Sequence, residues 1–345
     1  MLASEKTKID NIRLLGRLAI FFALLTLVLF LLSGLAFISM RGMYYFEPFY
    51  DIEDDTVDVV FVGSSNAYCA FSPIRLYEKT GLSAQVFGSS NQSCAADYLW
   101  AKEAYEAQKY RVLVVEVGSF MNPYGEPKRN IEALNSMKKG KNYFELLRIH
   151  GVRGVHVIFP VFYFHDLWRN INNASFAKQP NGELDTFRGY YPIGSHYKEE
   201  KIRIIDSEYE LNNQLNLEYI DKLLDFCEEK DILPIFVKTT TATDDAWPKW
   251  WHDAVASFAE TRGVTYIDFN TQENLDAAGI LPIDLATDGV HLNISGAHKT
   301  TDYIGQYLIG HMERSFTLYD SEDDISEEKI REYYAFMDKV WEDNK

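Results

Sequence analysis

The chain has 345 residues, 47% hydrophobic and 14% aromatic, so it can bury a full core; one sizeable domain with appendages fits this length better than two equal domains. A formal net charge of −17 argues against general nucleic-acid binding, which needs clustered Lys and Arg to neutralise phosphates. Three cysteines, Cys69, Cys94 and Cys227, are an odd number without metal-like spacing; they offer no disulfide framework and read as small core residues.

Residues Leu18 to Met40 form an uncharged stretch of 23. As a helix rising ~1.5 Å per residue this stretch extends roughly 35 Å, enough to cross a bilayer with some tilt. Lys6, Lys8, Arg13 and Arg17 precede it, whereas after Arg41 come Glu47, Asp51, Glu53, Asp54 and Asp55, with no further Lys or Arg until Arg75. The positive-inside bias therefore puts residues 1–17 in the cytoplasm and the main domain outside. A cleaved signal peptide has an apolar core of only ~7–15 residues and a small-residue cleavage site, so residues 18–40 are expected to be an uncleaved single-pass anchor in the cell membrane. An exported domain without disulfides suits a bacterial surface protein. Residues 41–56 read as a spacer, and its aromatic part, Met43 to Tyr50, suits the outer membrane interface, where amphipathic rings collect.

Beyond the spacer, Val57 to Gly63 (VDVVFVG) is a nearly continuous β-branched run, the pattern of a parallel strand covered on both faces. Ala84 to Gly88 is a shorter strand, a helix is expected from about Cys94 to Lys109, and Arg111 to Val117 (RVLVVEV) is a second buried strand. A helix over Leu217 to Lys230 feeds the strand Ile232 to Lys238. A helix around Trp250 to Arg262 feeds Val264 to Phe269, and Ser295 to Ile309 closes the domain, taken as residues 57–310. Strands alternating with helices imply βαβ units and a doubly wound parallel sheet, with its ligand site beyond the carboxyl ends of the strands.

Two segments break the alternation. Residues ~121–210 are an insertion too long for an ordinary connection, which points to a cap, lid or partner surface. It is rich in rings: Phe159, Phe162, Tyr163, Phe164, Trp168, Phe187, Tyr190 and Tyr191. Its run Val155 to Trp168 is too short to span a membrane and reads as packing of the insertion, as an acceptor groove, or as a dip into the interface. Lys128, Arg129, Lys138, Lys139, Lys141, Arg148 and Arg153 concentrate positive charge there, as a solvated helix face or as a contact for headgroups or an anionic polymer. The second segment is the acidic tail 311–345, expected to end in a solvated helix, Glu327 to Glu342.

The chemistry lies at the two ends of the domain. Gly63-Ser64-Ser65 ends the first strand, and Asp288-Gly289-Val290-His291 opens the last helix. A serine hydroxyl is a poor nucleophile until an imidazole takes its proton, and that imidazole needs a third group to hold its tautomer. Asp288, three residues before His291, can do the holding, with Ser65 as nucleophile. Ser65 as a helix cap, Asp288 as a cap and His291 as a core histidine are the structural alternatives. His150, His156 and His298 read as structural or exposed. No His, Asp or Glu set has metal-binding spacing, and no cofactor is implied.

These features resemble the SGNH/GDSL hydrolase-like superfamily, from Gly63 to about Gly310 without the insertion. The resemblance implies a three-layer α/β/α flavodoxin-like sheet, with the family nucleophile on Ser65 and Ser64 in place of the family Asp. Gly88, in Phe87-Gly88-Ser89-Ser90, matches the backbone oxyanion donor beside the N–H of Ser65. Asp288-Gly289-Val290-His291-Leu292-Asn293, followed by Gly296, is the most specific match. The third block departs: Gly118-Ser119-Phe120-Met121-Asn122 lacks the family's Asn-Asp pair, so its oxyanion-donating Asn is missing, with Asn91 or Asn122 as candidate substitutes. The Gly-Ser-Ser variant and the anchor resemble the branch containing the D-alanyl-lipoteichoic acid transfer protein and the alginate-type O-acetylation proteins. That resemblance implies a serine esterase or O-acyltransferase on a surface glycan or polymer, beside a membrane-bound O-acyltransferase. A non-catalytic accessory protein and a lipid esterase are the alternatives.

Overall fold

Five short strands rich in Val, Ile and Phe build one parallel sheet in the computed structural model, which describes residues 2–40, 46–122, 134, 137–162, 187–198, 217–242, 249–311 and 325–344. The strands are β1 (Val59–Gly63), β2 (Ala84–Gly88), β3 (Val112–Glu116), β4 (Leu233–Lys238) and β5 (Thr265–Asp268), ordered β2-β1-β3-β4-β5. This is the flavodoxin-like order, and its reversal between β1 and β3 creates the crevice where such folds bind ligands. Every residue of β1, β2 and β3 is buried, as expected of strands covered on both faces.

The two-residue period of the strands divides the core. Val59, Phe61, Val112, Val114, Ile235 and Val237 face one layer. That layer contains α2 (Ser65–Ala70), α3 (Pro73–Thr80), α9 (Gln272–Ala278) and α10 (Ile294–His311), whose Tyr68, Leu76, Leu275, Ile304 and Leu308 complete the cluster. The other side is covered by α4 (Cys94–Gln108), packed against α5 (Lys141–Ile149) and α7 (Leu217–Lys230). Helix α8 (Lys249–Arg262) packs against β5. The expected strands and helices all occur, with ends displaced by at most two residues.

Two expectations change. The sequence of Met43 to Tyr50 suits the membrane interface, yet Phe46 and Phe49 are only 1% exposed and pack edge-on against Phe87, with Phe46 also against Trp100. Burial of each ring is worth on the order of 1.5–3 kcal/mol, which draws these two rings into the core. The C-terminal helix α11 (Glu327–Glu342) has the expected bounds but is not solvated all round. Its Tyr333 and Met337 are buried with Ile74, Phe187, Tyr190 and Ile294, and the Tyr333 hydroxyl meets Ser72 Oγ (2.8 Å) and His298 Nε2 (2.6 Å).

The chain divides into two compact units, residues 44–151 with 180–345, described above, and residues 1–43 with 152–179. In the latter, α1 (Leu2–Met40) carries an apolar stretch, Asn11–Gly34, long and apolar enough to cross a membrane. A single turn at Pro160–Phe162 packs beside it, preceded by a short helix, α6 (Gly154–Ile158), that packs on the turn: the Phe30 and Phe159 rings are 5.0 Å apart, and the Val161 N–H donates to Ser33 Oγ. Tyr163, Phe164, Trp168, Lys128, Arg129 and most of the insertion lie outside the described residues, as do Met43 and residues 312–324 of the tail.

Candidate active site

The end of β1 is shaped by close approach. Gly63 has φ +152°, and a Cβ there would lie 2.8 Å from the Cβ of Glu116 and 3.0 Å from that of Ala67, so the turn tolerates only glycine. Ser64 is extended and its carbonyl accepts the Ala67 N–H (3.0 Å), which starts α2 at Ser65, directly beyond the carboxyl end of β1. Gly88 stands in register with Gly63 on β2. A Cβ at Gly88 would come within 3.1 Å of the Ser64 carbonyl and 3.2 Å of the Tyr68 nitrogen, so the second glycine lets its strand end close on the serine turn.

The base-bearing loop is built from its own sequence. Leu285 and Leu292 form an antiparallel bridge, and the Ala286 N–H donates to the His291 carbonyl (2.8 Å). Within this loop Gly289 takes φ +67°, and Asp288 Oδ1 accepts the N–H groups of Val290 (2.9 Å) and His291 (3.0 Å), an Asx turn. Fully buried Asn293 then caps α10, its Oδ1 accepting from Ser295 and Gly296 while its amide donates to the Ile283 carbonyl (2.7 Å). Gly296 is required too, because a Cβ there would sit 2.3 Å from the Asp284 carbonyl oxygen.

These two turns, 226 residues apart in sequence, bring the three expected residues together. Asp288 Oδ2 lies 2.7 Å from His291 Nδ1, and His291 Nε2 lies 2.8 Å from Ser65 Oγ. Partial burial pushes the Asp288 carboxyl up, but the His291 ring and the backbone N–H groups of His291 and Val290 outweigh it and hold the group at about 2. Asp288 is therefore an anion at neutral pH. An anion at Nδ1 favours the tautomer with its proton on Nδ1, which leaves the Nε2 lone pair to accept from the Ser65 hydroxyl.

The third strand end carries different chemistry. Glu116 and Lys238, both fully buried, pair at 3.2 Å at the carboxyl ends of β3 and β4. The same carboxylate accepts the Thr239 hydroxyl (3.3 Å) and the Gly118 N–H (3.0 Å). Of the two candidate oxyanion substitutes, Asn122 donates its amide to the Gln92 carbonyl (2.8 Å). Asn91 is exposed at φ +52°, its amide 3.4 Å from Ser90 Oγ. Neither of these bonds reaches Ser65 or His291. Beside them, the buried amide of Gln92 donates to Phe87 O (2.9 Å) and to Asp97 Oδ1 (2.8 Å).

The described end of the insertion borders the site on both sides. The Tyr191 N–H donates to Tyr68 O (2.8 Å), one turn after Ser65. The Ile294 N–H donates to Ile193 O (2.9 Å), the Tyr197 N–H to Leu285 O (2.9 Å), and the Thr287 N–H to Ser195 Oγ (3.2 Å). The Tyr197 ring lies against Gly289. Sequence reasoning missed Glu116, Lys238 and Tyr197. A charge at the carboxyl end of each of two neighbouring buried strands was the available signal for the first two; Tyr197 offered none. Among the described residues, no group of three or more His, Cys, Asp or Glu side chains is arranged to hold a metal ion.

No protein-family model matches the chain, and no curated protein is similar to it in sequence. Among solved structures it is similar to a candidate lipolytic protein of the G-D-S-L family from Desulfitobacterium hafniense, at 12% identity and a TM-score of 0.36, with 72% of this chain and 98% of that one covered. It is also similar to a candidate GDSL-like lipase from Parabacteroides merdae, at 13% identity and a TM-score of 0.33, with 75% of this chain and 97% of that one covered.

Proposed function

We propose that the chain is a membrane-anchored, SGNH/GDSL-type serine enzyme that moves a small acyl group to or from a cell-surface glycan or polymer. The observation that carries this reading is the continuous chain Ser65–His291–Asp288, with links of 2.8 and 2.7 Å. Ser65 Oγ attacks the acyl carbonyl as its proton passes to His291 Nε2, and the carbonyl electrons move onto oxygen. The backbone N–H groups of Ser65 and Gly88 receive that oxyanion. Collapse expels the donor oxygen, which takes the proton from His291, and leaves the acyl group on Ser65. An incoming hydroxyl then loses its proton to His291 and attacks the ester, and Ser65 leaves with that proton.

Transfer is favoured over hydrolysis by the tether. With residues 1–17 cytoplasmic and α1 across the bilayer, the site stays near the membrane, which raises the effective concentration of a membrane-borne donor or of a membrane-bound O-acyltransferase partner. The described end of the insertion, with Tyr191 and Tyr197 beside the site, suits the exclusion of water from the acyl-enzyme.

The test uses full-length protein in nanodiscs. A serine-directed fluorophosphonate should label the wild type and fail to label Ser65→Ala, while Ser64→Ala retains labelling. Turnover of a small acetyl ester should be slow alone and should rise with a soluble glycan acceptor. Labelling that persists in Ser65→Ala removes the assignment of the nucleophile. Fast hydrolysis that is indifferent to acceptor removes the transferase reading in favour of an esterase.

A further inference from the structure

The segment 154–162 is an unusual surface element. Val155, Ile158 and Phe162 are 45–56% exposed, and the sequence from Gly154 to Phe164 contains no charged side chain apart from the titratable His156. In water such a stretch would present an exposed apolar patch. Its neighbour is the apolar helix itself: Phe159 packs against Phe30, and the Val161 N–H reaches Ser33 Oγ at 3.4 Å. Phe30 lies four residues inside the apolar stretch that ends at Gly34, and ten inside the uncharged run that ends at Met40. At ~1.5 Å per residue that sets Phe159 beside the helix at a depth of about 6–15 Å from the end of the span.

Hydrocarbon admits only backbone whose polar groups are satisfied within the protein, and four N–H groups of the segment have such partners. The His156 N–H donates to Arg153 O (2.8 Å), Phe159 to Val155 O (2.9 Å) and Phe162 to Phe159 O (3.1 Å). Pro160 has no N–H to satisfy. The Val161 N–H is taken up by a side chain of α1. Arg153, at the entry to the segment, is a cation suited to the headgroup layer.

We propose that residues 154–162 enter the bilayer beside α1, with Val155, Ile158 and Phe162 against lipid acyl chains, so that the anchor consists of two elements. The insertion is thereby fastened to the membrane at a second point. The inference rests on α1 crossing the membrane and is independent of the chemistry at Ser65.

Single cysteines at Ile158 and Phe162 test it in the full-length chain in nanodiscs; the native cysteines Cys69, Cys94 and Cys227 are buried and withdrawn from labelling. Leu25→Cys reports on the span itself, and Phe144→Cys is the control, an exposed ring on α5 in the other unit. Each cysteine carries an environment-sensitive fluorophore and is quenched in turn by acyl-chain-brominated lipid and by aqueous iodide. Labels at 158 and 162 should follow the label at 25, with a blue-shifted emission quenched by brominated lipid and spared by iodide, whereas the label at 144 should be quenched by iodide. If 158 and 162 follow 144 while 25 remains lipid-quenched, the second anchoring element is rejected and the span stands. If the label at 25 is also quenched by iodide, the span and the inference fall together, and labelling of Ser65 by fluorophosphonate still tests the enzyme independently.

Discussion

Removing one member of the Glu116–Lys238 pair should do more damage than removing both. Each group is fully buried, and they meet at 3.2 Å where β3 and β4 end. Glu116→Gln keeps shape and hydrogen-bonding capacity but takes this carboxylate away from the buried Lys238 ammonium, and Lys238→Met takes the ammonium away from the buried carboxylate. An uncompensated buried charge costs about 3–5 kcal/mol, against a total domain stability of ~5–15 kcal/mol. The double variant Glu116→Gln/Lys238→Met has no orphaned charge, so its loss should be well below the sum of the singles, a coupling of at least ~2 kcal/mol. The site should feel the same perturbation, because the side chain of Glu116 is what a Cβ at Gly63 would strike, two residues before Ser65. The assay is a double-mutant cycle from urea melts of the full chain, read beside the rate of fluorophosphonate labelling. Both singles should melt earlier and label more slowly, and the double should recover part of each. Should a single fail to fold, the comparison of the double with the wild type still decides. Singles that cost under ~1 kcal/mol, or that add without coupling, would refute the idea that this pair supports the serine turn.

Two further outcomes follow from the buried and half-buried carboxylates. Burial pushes Asp97 from 3.8 up to about 7, against the Gln92 amide that bonds it, so between about pH 4 and 7 the folded chain binds more protons than the unfolded one and stability falls as pH rises. At pH 8 that ionisation costs on the order of 4 kcal/mol as an upper figure, so Asp97→Asn should melt later than the wild type there and lose most of the slope between pH 4 and 7; parallel melting curves across that range would reject the assignment. Asp288 shifts the other way, to about 2, so its contribution is present above pH ~4 and is lost only as pH falls towards 2; an acid limb of labelling centred above pH 4 therefore belongs to another group. Asp288→Asn should slow labelling by roughly 10²–10⁴, and a labelling rate within twofold of wild type would remove Asp288 from the catalytic chain.

What could be read from the sequence divides along the range of the interactions. The strands were legible because parallel strands buried on both faces must be apolar at nearly every position, and β1 and β3 obey this without needing partners to be known. Ser65, Asp288 and His291 were legible because each turn is locally determined: Gly63 and Gly289 supply backbone that other residues resist, and Asp288 bonds its own loop. The supports were not legible, since each is set by a residue far away in sequence. Tyr333 looks like one ring in an acidic helix until Ser72 and His298 meet its hydroxyl, and Phe46 looks like an interface anchor until Phe87 and Trp100 surround it. The departure in the third block has the same origin. Where the family pattern leads one to seek an Asn after β3, this chain ends the strand with Glu116, and its meaning depends on Lys238, 122 residues away. A carboxylate there cannot donate to an oxyanion. Committed to Lys238, Thr239 and the Gly118 N–H, it serves instead to hold the ends of β3 and β4 beneath the turn that presents Ser65. In the proposed enzyme the oxyanion would then rest on the backbone N–H groups of Ser65 and Gly88, and with fewer donors such a site is expected to favour an activated acyl donor over rapid hydrolysis of stable esters.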